Sequence, residues 1–202
     1  MSHPVYLVDD DDAVREALSL LLRTVGLQVR SFSSPEGLLG SIAALAPGCL
    51  VLDIRMPTMS GLKLQTTLID RGINWPTVVI SGHGDIEACR RAFRNGAIDF
   101  LGKPVDEQDL IDAIQKGHQA LDQQRRLNLE AQEARDLISL LSQRELEVLE
   151  MVAKGLTTRQ ISDALGLSPR TVDSHRAAIA AKTGTASTAE QTRLWLDGRL
   201  TP

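Results

Sequence analysis

The chain has 202 residues, of which 43% are hydrophobic and 24% are charged, and its formal net charge is −4. This length allows one or two domains, and this share of hydrophobic residues is enough for ordinary cores. No apolar run approaches the roughly 18 residues of a membrane span, and no basic-then-apolar signal opens the chain, so we predict a cytoplasmic protein with no membrane segment.

The first 121 residues contain five short apolar, β-branched runs that alternate with helical patterns. Strands are predicted over residues 5–8, 27–32, 49–53, 77–81 and 98–101. Helices are predicted over residues 13–25, 35–45, 61–70, 86–95 and 107–121. Strictly alternating strands and helices favour a parallel sheet with helices on both faces, which is the doubly wound α/β architecture.

Polar residues stand where the predicted strands end. Asp9 and Asp10 follow the first strand, Asp53 ends the third, Ser81 ends the fourth, and Lys103 follows the fifth. The carboxyl ends of strands in an open parallel sheet are where ligands bind and where side chains distant in sequence converge. The sequence therefore predicts one pocket that contains carboxylates, a hydroxyl and a lysine.

The carboxylates of this pocket suit a hard divalent cation, because clustered carboxylates repel one another and oxygen ligands are what such a cation takes. Mg²⁺ keeps several waters and shares its sphere with one or two carboxylates and a phosphate. Asp10 and Asp53 would supply carboxylate oxygens, and the backbone carbonyl of Arg55 would supply a third ligand. Asp9 would hold a metal-bound water.

Asp53 is the predicted nucleophile of the pocket. Its carboxylate would attack a phosphorus atom and form an acyl phosphate. Lys103 and the Ser81 hydroxyl would then bind the phosphoryl oxygens together with the metal.

Taken separately, Asp9 and Asp10 would be read as residues at a helix N-terminus, and Asp11 or Asp12 is expected to cap the helix that follows. All the strand-end stretches in order, however, resemble the receiver domain of two-component response regulators over residues 1–121. The resemblance implies that a sensor histidine kinase phosphorylates Asp53 in the presence of Mg²⁺.

Two positions depart from the commonest pattern of receiver domains. Ser81 stands where many receivers have Thr, and Phe100 stands where the family often has Tyr, so the aromatic switch position has no hydroxyl. The resemblance implies that phosphate on Asp53 draws Ser81 inward and that Phe100 turns from solvent towards the core. The face formed by the fourth helix and fifth strand would then repack and form a homodimer.

The resemblance also leads us to predict a cis bond between Lys103 and Pro104, although only about 5–6% of X-Pro bonds are cis.

Cys49 and Cys89 are the only cysteines of the sequence. Cys49 lies in a predicted core strand and Cys89 in a predicted helix, so we interpret both as reduced packing residues of a cytosolic protein. A redox switch is the alternative interpretation.

The segment that follows residue 121 has a composition that favours helix. Residues 118–154 contain no Gly or Pro, and residues 123–136 are rich in Gln, Glu, Arg and Leu. Apolar positions are sparse there, so we predict a solvated helical linker over residues 122–139 that extends the last receiver helix. A partner-binding coiled coil is the alternative, although its heptads are not sustained.

Residues 140–202 are predicted to form a small all-α domain. Ser142 and Glu145 form a capping-box pattern, Thr157 is placed to cap a second helix, and Ser168-Pro169 opens a third. A fourth helix is predicted over residues 188–197. Two short helices joined by a tight, glycine-containing turn indicate a helix-turn-helix, whose second helix enters a DNA major groove.

The residues of this second domain resemble the LuxR-type DNA-binding domain. The resemblance rests on Leu141-Ser142-x-Arg144-Glu145-x-Glu147-Val148-Leu149, Gly155-Leu156-Thr157, Ile161, Ser168-x-x-Thr171-Val172-x-x-His175 and Lys182. Together with the receiver pattern it indicates the NarL/FixJ class, and Gly82-His83-Gly84-Asp85 favours the FixJ-like branch. The class implies double-stranded DNA as a partner and RNA polymerase as a further one.

The predicted DNA contacts fall into two groups. Many relatives carry Lys where this chain has Asp173, and a carboxylate cannot contact phosphate but can accept a hydrogen bond from cytosine N4. His175 is either a base reader or a half-buried packing residue. The predicted base readers are Arg170, Asp173, Ser174 and Ala177. The predicted phosphate contacts, which position without specifying sequence, are Thr157, Thr158, Arg159, Thr171, Arg176 and Lys182.

Two functions follow from these patterns. The favoured one is a transcription factor controlled by phosphorylation of its receiver. The alternative is a receiver that acts as a phosphate sink or a protein-binding module, with weak DNA affinity, because residues from Leu140 onward carry only eight Lys and Arg against seven Asp and Glu. An enzyme in its own right is not supported, because the second half has no convergent nucleophile, base or metal ligands.

Overall fold

The computed structural model describes residues 3–82 and 86–199. The contacts within the chain divide it into two compact units, Met1–Gln123 and Gln124–Pro202. The glycine-containing motif at residues 82–85, which favoured one branch of the family, lies largely outside the described residues.

The first unit is built on a parallel sheet. Its strands, within the described residues, are β1 (Val5–Val8), β2 (Val29–Phe32), β3 (Cys49–Asp53), β4 (Thr77–Ser81) and β5 (Ala97–Gly102). They lie in the order β2-β1-β3-β4-β5, and every neighbouring pair is parallel. The predicted doubly wound α/β architecture is therefore confirmed.

Helices connect these strands and cover both faces of the sheet. They are α1 (Asp12–Thr24), α2 (Pro35–Ser41), a 3₁₀ turn (Ile42–Ala44), α3 (Gly61–Asp70), α4 (Ile86–Arg94) and α5 (Glu107–Ser139). Side chains alternate along each strand, so Val5 and Leu7 pack in one apolar cluster while Tyr6 and Val8 pack in the other. Both faces of a covered parallel sheet are apolar for this reason.

Two predicted elements are shorter in the structure. Gly26 has a φ of 82° and ends α1, and the N–H of Leu27 donates to the carbonyl of Leu22, so strand β2 starts at Val29 instead of residue 27. Helix α2 ends at Ser41, and a 3₁₀ turn with its tighter i→i+3 bonds follows it instead of further α-helix.

The second unit contains α6 (Gln143–Ala153), α7 (Thr158–Leu165), α8 (Pro169–Thr183) and α9 (Thr188–Arg199). Ser142 and Thr157 each head a complete capping box, and Ser168 accepts a hydrogen bond from the N–H of Thr171. These caps begin the helices at the predicted positions. The helices enclose one apolar cluster that includes Val148, Leu149, Val152, Ile161, Val172, Ile179, Leu194 and Trp195.

Helix α5 runs without interruption through the predicted linker, which confirms its helical state. Its second half is not solvated on all sides, however, because Ala131 and Ala134 are each only 5% exposed and Ala134 belongs to the core of the second unit. A Cβ on Gly198 would lie 2.4 Å from Cδ1 of Ile138, so α9 approaches this segment closely. In the part of the chain that the structure describes, no helix is both long enough and apolar enough to cross a membrane.

Candidate functional site

The strands bring the predicted pocket residues to one edge of the sheet. Val8 pairs with Leu52, so Asp9 and Asp53 follow neighbouring positions on adjacent strands. The Nζ atom of Lys103 lies 2.8 Å from Oδ2 of Asp9 and 2.7 Å from Oδ1 of Asp53. The bond between Lys103 and Pro104 is cis, as predicted.

The two carboxylates that Lys103 binds are removed from solvent. Asp9 is 1% exposed and Asp53 is 5% exposed. Burial raises the pKa of Asp53, and the hydrogen bond and charge of Lys103 offset that rise only in part. Burial also lowers the pKa of Lys103, but its hydrogen bonds to Asp53 and Asp9 outweigh this and leave it raised. The site therefore holds a desolvated carboxylate beside a firmly protonated ammonium.

Asp10 and Arg55 lie beside these residues in sequence. We call Asp9, Asp10, Asp53 and the backbone of Arg55 the acidic edge. Asp10 is exposed, and its carboxylate makes no hydrogen bond or ion pair within residues 3–82 and 86–199. The backbone N–H of Arg55 donates to Oδ2 of Asp53 at 2.6 Å, while the side chain of Arg55 is exposed. The ammonium of Lys103 bonds the carboxylates of Asp9 and Asp53, whereas the Asp10 carboxylate, next in sequence to Asp9, has no cation partner among the described residues.

A divalent cation fits this donor set by charge and by ligand type. The described side chains include no group of three or more His, Cys, Asp or Glu arranged to hold a metal ion. Mg²⁺ does not need such a group, because it keeps several waters and uses one or two carboxylates. The oxygen-only donors of the acidic edge are the ligands that Mg²⁺ prefers.

Ser81 and Phe100 lie next to the acidic edge. Ser81 is buried, and its backbone carbonyl accepts a hydrogen bond from the N–H of Lys103 at 2.7 Å. Phe100 is half-buried and packs against the cluster that contains Ile54, Val79 and Ala88. Phe100 thus differs from the solvent-facing position expected from the sequence, because β5 places its ring over this apolar cluster.

Gly61 is a site residue whose role the sequence did not reveal. A Cβ on Gly61 would lie 2.1 Å from the carbonyl oxygen of Asp53, and its N–H donates to the carbonyl of Ile54 at 3.0 Å. The first residue of α3 therefore packs directly against the backbone of Asp53, the predicted phosphoacceptor. A glycine close to a strand end in sequence was the only available signal.

We expect Gly61→Ala to destabilise the first unit by about 1–3 kcal/mol, because the added methyl group must displace the backbone of Asp53. Urea unfolding measures this change. Gly40→Ala is the matched control: Gly40 lies in α2, and a Cβ there meets no heavy atom within 4 Å. That control should be neutral or stabilising by up to about 1 kcal/mol. Equal stabilities for the two variants would contradict the close contact.

The predicted base readers share one exposed face of α8. Arg170, Asp173, Ser174 and Ala177 follow the i, i+3, i+4, i+7 spacing of one helix face and are all exposed. Val172 and Ile179 are fully buried in the core of the unit, and His175 is half-buried.

The side chains of three of the predicted phosphate contacts form hydrogen bonds or an ion pair with other residues of the second unit. Arg176 donates to the hydroxyl of Thr158 at 3.3 Å and to that of Thr188 at 2.8 Å. Thr158 in turn donates to Asp173 at 3.3 Å. The Nζ atom of Lys182 lies 2.7 Å from Oε2 of Glu145.

The remaining predicted phosphate contacts lie around the starts of α7 and α8. The Thr157 hydroxyl donates to Oε1 of Gln160, and the hydroxyls of Thr171 and Ser168 bond to each other. Among the described residues, Arg159 and Arg170 have no side-chain partner. These two arginines are therefore the cations of this surface that are available to an anion.

The ion pair between Glu145 and Lys182 stabilises the start of α6. Oε2 of Glu145 also accepts the N–H of Ser142 at 2.7 Å. The hydrogen bonds from Lys182 and from Ser142 lower the pKa of Glu145 from 4.5 to about 2. Since the folded pKa lies below the unfolded one, this stabilisation is complete above about pH 4.5 and is lost as the pH falls towards 2.

We expect Glu145→Gln to destabilise the second unit at pH 7, and the difference from wild type to shrink between about pH 4.5 and about pH 2. Urea unfolding should be followed by the fluorescence of Trp195 in a Trp75→Phe background.

Glu147→Gln is the control for this experiment, because Glu147 forms an exposed ion pair with Arg144. Such pairs contribute about 0–1 kcal/mol, so this variant should stay close to wild type. Parallel pH profiles for wild type and Glu145→Gln would show that the buried capping-box carboxylate does not act as described.

Comparison with known proteins gives two family matches. Residues 5–115 match the response regulator receiver domain, and residues 139–195 match the bacterial regulatory proteins of the luxR family. The response regulator protein TmoT of Ectopseudomonas mendocina is 42% identical over 190 residues, which cover 94% of this chain and 86% of TmoT. The transcriptional regulatory protein FixJ of Azorhizobium caulinodans is 40% identical over 201 residues, which cover 100% of this chain and 95% of FixJ.

Solved structures give the same assignment. The response regulator StyR superposes with a TM-score of 0.78 at 40% identity, over 96% of this chain and 99% of that protein. Full-length FixJ from B. japonicum superposes with a TM-score of 0.61 at 30% identity, over the full length of both chains.

Proposed function

Because the chain belongs to the two-component response regulators of the NarL/FixJ type, which join a receiver to a LuxR-type DNA-binding domain, we propose that phosphorylation of Asp53 by a sensor histidine kinase controls its binding to double-stranded DNA. The observation that supports this proposal most directly is the environment of Asp53. Its buried carboxylate bonds to Lys103 and to the N–H of Arg55 at the carboxyl edge of the sheet. The proposed domain bounds are 1–121 and 140–202, with the linker between them.

Mg²⁺ is the proposed cofactor of the receiver. Asp10 and Asp53 would hold it directly, the carbonyl of Arg55 would be a third ligand, and Asp9 would bind one of its waters. When bound, the ion supplies positive charge that neutralises the phosphoryl oxygens. The two carboxylates that share one ammonium, together with the unpaired Asp10 beside them in sequence, support this assignment.

The side chains of the pocket perform the transfer. A carboxylate oxygen of Asp53 attacks the phosphorus of the phosphohistidine, so a P–O bond forms while the P–N bond to the kinase breaks. The ammonium of Lys103 then donates a hydrogen bond to one phosphoryl oxygen, and the Ser81 hydroxyl donates to another. The burial of Asp53 favours the reaction, because fewer hydrogen bonds to water occupy the lone pairs of the attacking carboxylate oxygen.

The proposed switch runs from Asp53 to the face formed by α4 and β5. Ile54 follows Asp53 directly and belongs to the same apolar cluster as Ala88 of α4 and the ring of Phe100. Movement of Ser81 towards the phosphate would let Phe100 turn further inward and repack this cluster. The consequence is dimerisation of the receiver.

Dimerisation would place two α8 helices on half-sites about one DNA turn apart or a multiple of it. The exposed face of α8 carries the proposed base readers Arg170, Asp173, Ser174 and Ala177. Arg159 is the best supported of the proposed phosphate contacts, because its guanidinium has no partner among the described residues. Thr157, Thr158, Thr171, Arg176 and Lys182 remain proposed phosphate contacts. RNA polymerase is a proposed partner of the DNA-bound form.

The test is to measure Mg²⁺-dependent phosphorylation and retention on specific DNA with the same protein sample. The proposed function expects both, with retention increased by phosphorylation. Phosphorylation without any specific DNA retention would instead favour a phosphate sink or a protein-binding receiver. Absence of phosphorylation in the presence of Mg²⁺ and a phosphoryl donor would refute the proposal.

A further inference from the structure

Residues 9–12 lead from the end of β1 into the first residue of α1, and three of their four carboxylates are held by hydrogen bonds. Asp9 accepts from the N–H of Asp11 at 2.9 Å and from Lys103 at 2.8 Å. Asp11 caps α1 by accepting from the N–H groups of Ala13 and Val14, and Asp12 is paired with Arg15. The remaining carboxylate, that of Asp10, has no such bond among the described residues, so its location depends on the backbone that carries it.

Arg15 holds that backbone. Its Nη1 donates to the carbonyl oxygen of Asp9 at 2.8 Å, and its Nη2 donates to the carboxylate of Asp12. The side chain of Arg15 is only 15% exposed although it lies in the first turns of α1. Because the carbonyl of Asp9 and the N–H of Asp10 form one planar group, a bond to that carbonyl fixes the plane from which Asp10 extends.

We propose that Arg15 is a positioning residue for residues 9–12: by bonding both the Asp9 carbonyl and the Asp12 carboxylate, it holds the backbone from which Asp10 reaches Mg²⁺. This inference rests on the proposed function, since it takes Asp10 as a metal ligand. Arg15 contacts neither the metal nor the phosphoryl group and acts through the backbone of residues 9–12.

Charge and geometry act in opposite directions at this position. A cation near a metal site repels Mg²⁺, so removal of the charge of Arg15 alone would strengthen metal binding. Loss of the hydrogen bonds to residues 9–12 would weaken it. Arg15→Lys separates the two effects, because lysine keeps the charge but its single ammonium cannot reproduce the planar fork of a guanidinium.

The experiment is an Mg²⁺ titration of the full-length protein, followed by the amide NMR signals of Asp10 and Asp11. Arg15→Lys is expected to bind Mg²⁺ about 10-fold more weakly than wild type, the lower end of the usual effect of partners that orient metal ligands. Arg23→Lys makes the same chemical change on the exposed last turn of α1 and should match wild type. Urea unfolding without Mg²⁺ checks that each variant is folded.

A second readout distinguishes positioning from a merely structural role. The initial rate of phosphoryl uptake from acetyl phosphate should need about 10-fold more Mg²⁺ in Arg15→Lys, yet it should reach the wild-type plateau at saturating metal. If Arg15→Lys does not fold, Asp12→Ala removes one of the two anchors and should weaken Mg²⁺ binding. Glu16→Ala on the same helix is its charge-matched control.

The outcomes separate this inference from the function on which it rests. Equal Mg²⁺ affinities for wild type and Arg15→Lys overturn the role of Arg15 and leave the proposed phosphorylation of Asp53 intact. A lowered uptake plateau that Mg²⁺ does not restore, at unchanged Mg²⁺ affinity, also overturns it. Absence of saturable Mg²⁺ binding in wild type overturns both proposals.

Discussion

Asp53→Asn is expected to abolish Mg²⁺-dependent formation of an acyl phosphate. The amide keeps the size of the side chain but removes the nucleophilic carboxylate, so no other group of the pocket can take the phosphoryl group in the same geometry. The fold should be retained, because Lys103 keeps its bond to the buried carboxylate of Asp9. Intact-mass spectrometry after incubation with acetyl phosphate and Mg²⁺ measures the uptake.

Asp70→Asn provides the matched control, because it makes the same chemical change at the exposed end of α3. It should take up phosphate as wild type does. Stoichiometric acyl phosphate on Asp53→Asn would mean that the phosphoacceptor is another residue. Loss of uptake in both variants would point to a general effect of charge instead of the chemistry at Asp53.

Phosphorylation is expected to raise the affinity for a DNA site with two half-sites by about 10²–10⁴-fold. Receiver dimerisation makes the second half-site contact intramolecular, and this is the usual gain for linked binding modules. Gel-shift titrations at several salt concentrations measure the affinity, which should fall steeply with salt because phosphate contacts release counterions. Analytical ultracentrifugation of the same samples measures the dimerisation.

Two substitutions test the assigned surface in that titration. Arg170→Ala should cost about 1–3 kcal/mol and relax specificity at one base position, if the residue reads a guanine. Arg159→Ala should weaken binding to all sequences alike and lower the salt slope by about one unit. Arg144→Ala, which changes an exposed arginine of α6 paired with Glu147, serves as control. Unchanged dimerisation and DNA affinity after phosphorylation would refute the switch.

Local patterns in the sequence predicted most elements of the fold. Short β-branched runs ending in polar residues predicted the strands, because a covered parallel strand must be apolar on both faces. Ser142, Thr157 and Ser168 predicted three helix starts, because a capping side chain bonds to backbone groups only two or three residues away. The edge of the sheet that carries Asp53 followed from the rule that parallel strands share their carboxyl ends.

Contacts between residues distant in sequence were decided only by the tertiary structure. The sequence did not reveal that the ammonium of Lys182 bonds to Glu145, which is 37 residues away. The sequence predicted a solvated linker over residues 122–139, yet Ala131 and Ala134 are each only 5% exposed, and Ala134 packs in the core of the second unit.

The details of the acidic edge were decided in the same way. The close approach of Gly61 to the backbone of Asp53 and the bond of Arg15 to the carbonyl of Asp9 depend on how helices pack against strand ends. Residue type and spacing determine which chemical groups reach the pocket, because they set the strands and caps. Distances, burial and hydrogen-bond partners are set by packing between elements, which local spacing does not encode.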